Sequence, residues 1–203
     1  NVKIRFMNYS IYAESTPNPE VMKFVSNRML ADKSLEILNA SESKKIPIAH
    51  ELFKLPFVKS VFISSNFVSI TKVDNVDWQS IALQLRMYIA DYLNSIDIIN
   101  HTERVSGEEL EKTKIVSNKS IEKEQNFEGT EKEIADLLDE YIRPAVEGDG
   151  GSITLHSFKD GIVSVILSGA CNGCPSSTVT LKQGIEGLLK QKMGDKIKEV
   201  VAK

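Results

Sequence analysis

The chain has 203 residues, enough for one large or two small domains. Its composition is 41% hydrophobic and 26% charged, as in ordinary soluble globular proteins, and no apolar run reaches membrane-spanning length. The net charge of −3, with both signs interspersed, gives no electrostatic reason to expect nucleic-acid binding.

The first predicted domain covers residues 1–100 and mixes strands with one long helix. Asn8 to Glu14 and Met22 to Val25 are predicted to be extended, on either side of a rigid turn formed by Thr16-Pro17-Asn18-Pro19. A hairpin is predicted across Ser65-Asn66. The helix that follows places these apolar residues in register on one face: Trp78, Ile81, Leu85, Tyr88, Ile89 and Tyr92.

Residues 101–129 differ from their flanks because they are rich in charge and their apolar residues have no regular period. Such a segment buries too little apolar surface to offset the entropy of ordering it. We therefore predict a charged flexible linker. A charged surface helix from Glu108 to Lys114 is the alternative interpretation.

The second predicted domain covers residues 130–203. Thr130 and Glu133 have the spacing of a capping box, and Pro144 is expected to kink or end the helix that begins there. That helix is predicted from the period of Ile134, Leu137, Leu138, Tyr141 and Ile142.

Two strands, a second helix and a last strand complete this domain. Ser152 to Phe158 and Ile162 to Leu167 are predicted strands, joined by a hairpin turn at Lys159-Asp160-Gly161. Thr178, Leu181, Ile185 and Leu188 are predicted to mark one face of the helix, and Ile197 to Val201 are predicted to form the last strand. The predicted fold class is α+β, with two small α+β domains joined by the linker.

Cys171 and Cys174, in the loop before the second helix, are the only cysteines of the sequence. Pro175 suits the first position of that helix, and the orphan N–H groups of its first turn favour a thiolate at Cys174. Burial of the two thiols is not expected, because their loop is polar and rich in glycine.

Three interpretations of the C-x-x-C pair follow from the residues alone. The cysteines pack as structural residues, or they form a dithiol redox centre at a helix N-terminus, or they supply half of a four-cysteine metal site. In the last case a second molecule supplies the other two ligands.

Several motifs of the second domain resemble the C-terminal domain of NifU-like (Nfu) iron–sulfur scaffold proteins. They are E-G-D-G-G-S-I-T-L from Glu147, K-D-G-I-V-S-V from Lys159, and S-G-A-C-N-G-C-P-S-S-T-V-T-L-K-Q-G-I-E from Ser168. The first domain is similar to the Nfu N-terminal domain in T-P-N-P from Thr16, M-K-F from Met22, L-F-K-L-P-F-V-K-S-V-F-I from Leu52 and D-W from Asp77.

The resemblance implies a scaffold that carries a [4Fe–4S] cluster between two subunits and transfers it to apo-proteins. Cys171 and Cys174 are then the cluster ligands, and a [2Fe–2S] cluster, which also takes four cysteines, stays open. The implied partners are a second copy of the chain, client apo iron–sulfur proteins and upstream cluster-assembly proteins. The first domain, which lacks ligands, is expected to recognise partners.

We expect no catalytic residues, no nucleic-acid partner and no membrane partner. A zinc-bridged dimer and a thiol–disulfide oxidoreductase remain the alternatives to the cluster carrier. Two cysteines are too few for a disulfide scaffold, and the sequence shows no signal or transit peptide, so a cytoplasmic location is expected. A trimmed organellar leader before Asn1 stays open.

Overall fold

The computed structural model describes residues 8–106, 127–172 and 175–203, without the side chains of residues 97–106 and 175–178. The chain divides into two compact units. The first contains Asn1–Glu14 and Met22–Asn118, and the second contains Ser15–Val21 and Lys119–Lys203. Both units combine helices with a β-sheet. The predicted α+β class is therefore confirmed.

A five-stranded sheet in the order β1-β2-β5-β4-β3 belongs to the first part of the chain. Its strands are β1 (Ile11–Ser15), β2 (Val21–Ser26), β3 (Leu35–Ile37), β4 (Val58–Ser64) and β5 (Phe67–Lys72). The hairpin predicted across Ser65-Asn66 is confirmed, because β4 and β5 pair antiparallel and Ser65 takes the positive φ of a tight turn.

The helices of the first unit are α1 (Ala40–Ser43), α2 (Pro47–Leu52) and α3 (Trp78–Ser106). Leu85, Ile89 and Leu93 follow the helical period of α3 and are buried against the sheet residues of this unit. Trp78 is 9% exposed and packs edge-on against Phe24, with the ring centroids 6.4 Å apart. The predicted helix is thus confirmed, and Trp78 at its start is part of the core of this unit.

Helix α3 continues to Ser106, into the segment that the sequence predicts as a linker. The predicted linker residues 107–126, with the alternative helix from Glu108 to Lys114, lie outside the described residues. Sequence patterns missed β3, α1 and α2, because elements of three to six residues are too short to show a period.

The second unit begins its helical layer with α4 (Thr130–Leu137), a π-helical turn (Leu138–Ile142) and α5 (Arg143–Gly148). The α-helix that begins at Thr130 ends before Pro144, at the π-helical turn, and Pro144 lies in the first turn of α5, so the expected break of the helix near this proline is observed. The Arg143 N–H donates to the Leu138 carbonyl, five residues back. This wider turn accommodates a proline that lacks an N–H and would collide with a carbonyl four residues back.

The prediction of a capping box at Thr130 and Glu133 is wrong. Gly129, with a positive φ, is the cap residue of α4, and no side chain caps the helix there. The Glu133 N–H donates to the Gly129 carbonyl at 3.2 Å. Glu131 instead accepts a hydrogen bond from the Phe158 N–H at 3.0 Å, which ties α4 to the sheet.

The sheet of the second unit has the order β6-β7-β8. Its strands are β6 (Gly151–Lys159), β7 (Ile162–Gly169) and β8 (Glu199–Ala202). Asp160 and Gly161 both have positive φ at the turn between β6 and β7, as two-residue hairpin turns require. β7 continues through the cysteine loop into α6 (Pro175–Met193) and a 3₁₀ turn (Gly194–Lys196), and β8 returns parallel to β7.

One face of this sheet forms the core of the second unit. Val163, Val165 and Leu167 alternate along β7 and are buried, as predicted. They belong to one apolar cluster with helical residues of α4, the π-helical turn and α6. Among the described side chains of α6, Ile185, Leu189 and Met193 are buried, so the predicted face is wrong by one residue at Leu188. No helix in the described part of the chain is long and apolar enough to cross a membrane.

Candidate metal site

The cysteine loop connects the end of β7 with the start of α6. β7 ends at Gly169, which has a φ of +64°, a backbone conformation that glycine adopts without strain. Cys171 follows two residues later. Gly173 and Cys174 lie outside the described residues, so the ligand role of Cys174 stays a prediction. Pro175 is the first residue of α6, which confirms its predicted position.

Cys171 is buried, with only 6% of its surface exposed, and belongs to the apolar core of the second unit. The expectation of an unburied thiol is therefore wrong for Cys171. The physical reason is the path of the chain after β7. The Ala170 N–H donates to the Gly150 carbonyl at 3.2 Å, and the Asn172 N–H donates to the Gly169 carbonyl at 3.0 Å, so the loop folds back over the start of β6.

Gly151 makes the space that the Cys171 sulfur occupies. A Cβ built on Gly151 would lie 2.7 Å from Cys171 Sγ, 2.7 Å from the Ser168 carbonyl oxygen and 3.1 Å from the Cys171 nitrogen. Contacts between heavy atoms normally begin near 3.5 Å. Only a residue without a side chain therefore fits at this position beside the thiol.

The sequence Asp149-Gly150-Gly151 suits a simple turn and, equally, a loop beside a bound cluster. The structure confirms the turn and brings Gly151 against Cys171, whereas the location beside a cluster stays a prediction. Gly150 turns the chain with a φ of +82°, and Gly151 abuts Cys171. The second glycine of the pair is the sequence feature that indicates the close approach to Cys171, since a turn needs only one residue of positive φ.

Helix α6, which begins directly after the cysteine loop, is fixed to β8 by polar contacts. Glu186 accepts a hydrogen bond from the Val200 N–H at 3.1 Å and pairs with Lys190. The Lys190 ammonium and the Val200 N–H hold the pKa of the Glu186 carboxyl below its ordinary value. Lys182 Nζ lies 3.0 Å from Glu199 Oε1. These contacts hold the helix, and with it the end of the cysteine loop.

His156 lies at an irregularity of β6. The pairing register with β7 shifts between Leu155 and Ser157, so His156 has no directly opposed partner in the ladder. Across the described residues, no three or more His, Cys, Asp or Glu side chains are grouped as metal ligands.

Residues 11–96 match the family model "Scaffold protein Nfu/NifU N terminal", and residues 134–201 match the model "NifU-like domain". The human protein named "NFU1 iron-sulfur cluster scaffold homolog, mitochondrial" is 33% identical over 191 residues, which are 92% of this chain and 68% of the human protein. This chain belongs to the Nfu family of iron–sulfur cluster scaffold proteins. The predicted family is confirmed.

Nfu relatives in other animals show the same extent of similarity. The protein of the same name in Drosophila grimshawi is 32% identical over 89% of this chain and 57% of its own length. The chain thus spans between about half and two thirds of these curated Nfu proteins. The solution structure of a NifU-like protein from Saccharomyces cerevisiae is 28% identical and covers 45% of this chain and 81% of its own, with a TM-score of 0.38.

Proposed function

We propose that this Nfu-family chain holds a [4Fe–4S] cluster between two copies and passes it to apo-proteins. Cys171 and Cys174 from each copy are the proposed ligands. The ligand count carries the proposal: the whole sequence has two cysteines, whereas such a cluster takes four thiolates. A two-fold symmetric contact is self-complementary and supplies two ligands from each side.

The seating of Cys171 supports a carrier whose thiol is protected when no cluster is bound. A buried thiol meets oxidants less often than an exposed one, and Cys171 is buried.

Transfer in this proposal is ligand exchange and not catalytic turnover. A cluster held by one short loop from each subunit is released when thiolates of a client replace its four cysteine ligands in turn. The chain is accordingly a carrier and not an enzyme. Its proposed partners are a second copy of itself, upstream cluster-assembly proteins and client apo iron–sulfur proteins.

Anaerobic reconstitution with iron and sulfide tests the ligand assignment. The intact chain should bind about four irons per two chains and become dimeric, and Cys171→Ser or Cys174→Ser should each remove most of the iron. Ile162→Ser is the matched control. Ile162 is 41% exposed at the opposite end of β7, about 23 Å from Gly169 at about 3.3 Å per residue, so iron binding should not change.

The same preparation distinguishes the alternatives. A zinc-bridged dimer would contain zinc and lack visible thiolate-to-iron absorption. A thiol–disulfide oxidoreductase would reduce a test disulfide as a monomer without metal. About two irons per dimer would indicate a [2Fe–2S] cluster. A strictly monomeric loaded chain with no external thiol, or normal loading without both cysteines, would refute the proposal.

The cytoplasmic location stays a prediction. The curated relatives carry the word "mitochondrial" in their names. Fractionation of cells that express the full-length gene product distinguishes the two locations.

A further inference from the structure

The segment Ser15–Val21 belongs to the same compact unit as the cysteine loop, and its Asn18 is only 6% exposed. Asn18 Nδ2 donates a hydrogen bond to the Ala170 carbonyl oxygen at 3.2 Å. That oxygen belongs to the peptide unit whose N–H is the backbone N–H of Cys171. The side chain of Asn18 therefore contacts the peptide group that leads into the proposed ligand.

We propose that Asn18 is a positioning residue for Cys171, which it holds through the Ala170 carbonyl. This inference rests on the proposed function, because positioning matters for cluster binding only if Cys171 is a ligand. It gives the Thr16-Pro17-Asn18-Pro19 motif a role beyond the rigid turn that the sequence predicted.

The neighbours of Asn18 fix the orientation of its amide. Asn18 Oδ1 accepts a hydrogen bond from the Glu20 N–H at 3.1 Å, so Nδ2 has to point the other way, toward the Ala170 carbonyl. Thr16 Oγ1 accepts from the Asn18 N–H at 3.2 Å and lies within donor distance of the Asn18 and Val21 carbonyls, at 2.9 and 3.0 Å. The turn thus presents a pre-oriented donor.

The cysteine loop is held on both sides of the same residue. The Ala170 N–H donates to the Gly150 carbonyl, and the Ala170 carbonyl accepts from Asn18. With both backbone groups of Ala170 engaged, the peptide plane that precedes Cys171 has a defined orientation. The direction of the Cys171 side chain follows from that orientation.

Asn18→Asp is the decisive variant. It preserves the shape of the side chain and the acceptor for the Glu20 N–H, but places a carboxylate oxygen against the Ala170 carbonyl. Asn18→Ala removes both hydrogen bonds without adding repulsion. Asn94→Asp is the matched control: in the first unit, Asn94 similarly accepts from the Tyr9 N–H and donates to the Tyr9 carbonyl.

The first measurement uses the full chain without cluster. In a Cys174→Ser background Cys171 is the only thiol, so its reaction with a disulfide reagent reports on the loop alone. We expect Asn18→Asp to speed this reaction about fivefold, which is the ratio that corresponds to the loss of one hydrogen bond. Asn18→Ala should speed the reaction less, and Asn94→Asp should leave its rate unchanged.

The second measurement follows cluster loss from reconstituted chains with both cysteines. Asn18→Asp should lose the cluster several-fold faster than the parent chain. If Asn18 only filled space, Asn18→Ala would be the more harmful change in both measurements, and that order would overturn the inference. Thiol reactivity unchanged in both Asn18 variants would overturn it as well.

The two proposals fail in different ways. If Cys171→Ser still binds the cluster normally, the proposed function is wrong whatever Asn18 does. If Cys171→Ser loses the cluster and Asn18→Asp behaves like the parent chain, only the positioning role is wrong. Should Asn18→Asp change the far-ultraviolet circular dichroism, the thiol reactivity of Asn18→Ala decides: an unchanged rate refutes the role, and a faster rate supports it.

Discussion

Gly151 offers a direct test of how the thiol of Cys171 is seated. Gly151→Ala adds one methyl group, and Gly151 is not among the glycines with positive φ, so the backbone conformation itself tolerates alanine. The new Cβ would lie 2.7 Å from both Cys171 Sγ and the Ser168 carbonyl oxygen. The effect of the substitution is therefore steric.

The expected magnitude follows from which neighbour can move. The Ser168 oxygen is backbone within the β6–β7 ladder, where Ser152 is paired with Ser168, so it cannot shift without distorting the strand. The Cys171 sulfur belongs to a loop and is the atom that yields. Overpacking of this kind costs about 1–3 kcal/mol in the free energy of unfolding. Displacement of the sulfur should also lower cluster loading.

Hydrogen exchange of the amides of β6 and β7 is the suitable assay, because a chain with two units need not unfold in one step. Gly187→Ala is the control. Among the described residues, nothing outside the adjoining helix backbone lies within 4 Å of a Cβ at Gly187, so alanine there should stabilise α6 by about 0.5–1 kcal/mol. Unchanged protection and unchanged iron content in Gly151→Ala would refute the steric argument.

Three further predictions concern other parts of the chain. Gly161→Ala should destabilise the second unit by about 1–2 kcal/mol, because Gly161 has a φ of +85° and a Cβ there would lie 2.8 Å from Lys198 Cγ; hydrogen exchange measures the loss. Ser164→Ala should stabilise the unit by about 1 kcal/mol, since Ser164 Oγ is buried and has no hydrogen-bond partner among the described residues; the shift of the urea midpoint measures it. The hydrogen bond to Glu51 raises the pKa of Tyr88 to about 12. The stabilisation of the chain relative to Tyr88→Phe should therefore be complete below pH 10 and disappear as the pH rises toward 12, as urea titrations across this range will show.

Contrary results would identify the faulty assumption in each case. Equal stability of Gly161→Ala would mean that the turn adopts another conformation. A loss of stability in Ser164→Ala would mean that the hydroxyl has a partner. A Tyr88→Phe difference that persists unchanged to pH 12 would mean that the tyrosine is not stabilised by its hydrogen bond to Glu51.

Much of this protein is determined by local sequence. The β6–β7 hairpin follows from alternating apolar residues on either side of Asp160-Gly161, two residues that adopt positive φ. The start of α6 at Pro175 follows from the fixed φ of proline. The number of cysteines limits one chain to two thiolate ligands, whatever its fold. These features depend on neighbours in the chain or on counting, so the sequence alone sufficed.

Other features depend on residues that meet only after folding. Cys171 is seated against Gly151, twenty residues earlier, and the carbonyl of the preceding Ala170 accepts a hydrogen bond from Asn18. No local pattern encodes such contacts, since each requires two segments whose approach is set by the packing of the whole unit. The sequence thus determined the proposed ligands, and only the tertiary structure decided how Cys171 is held.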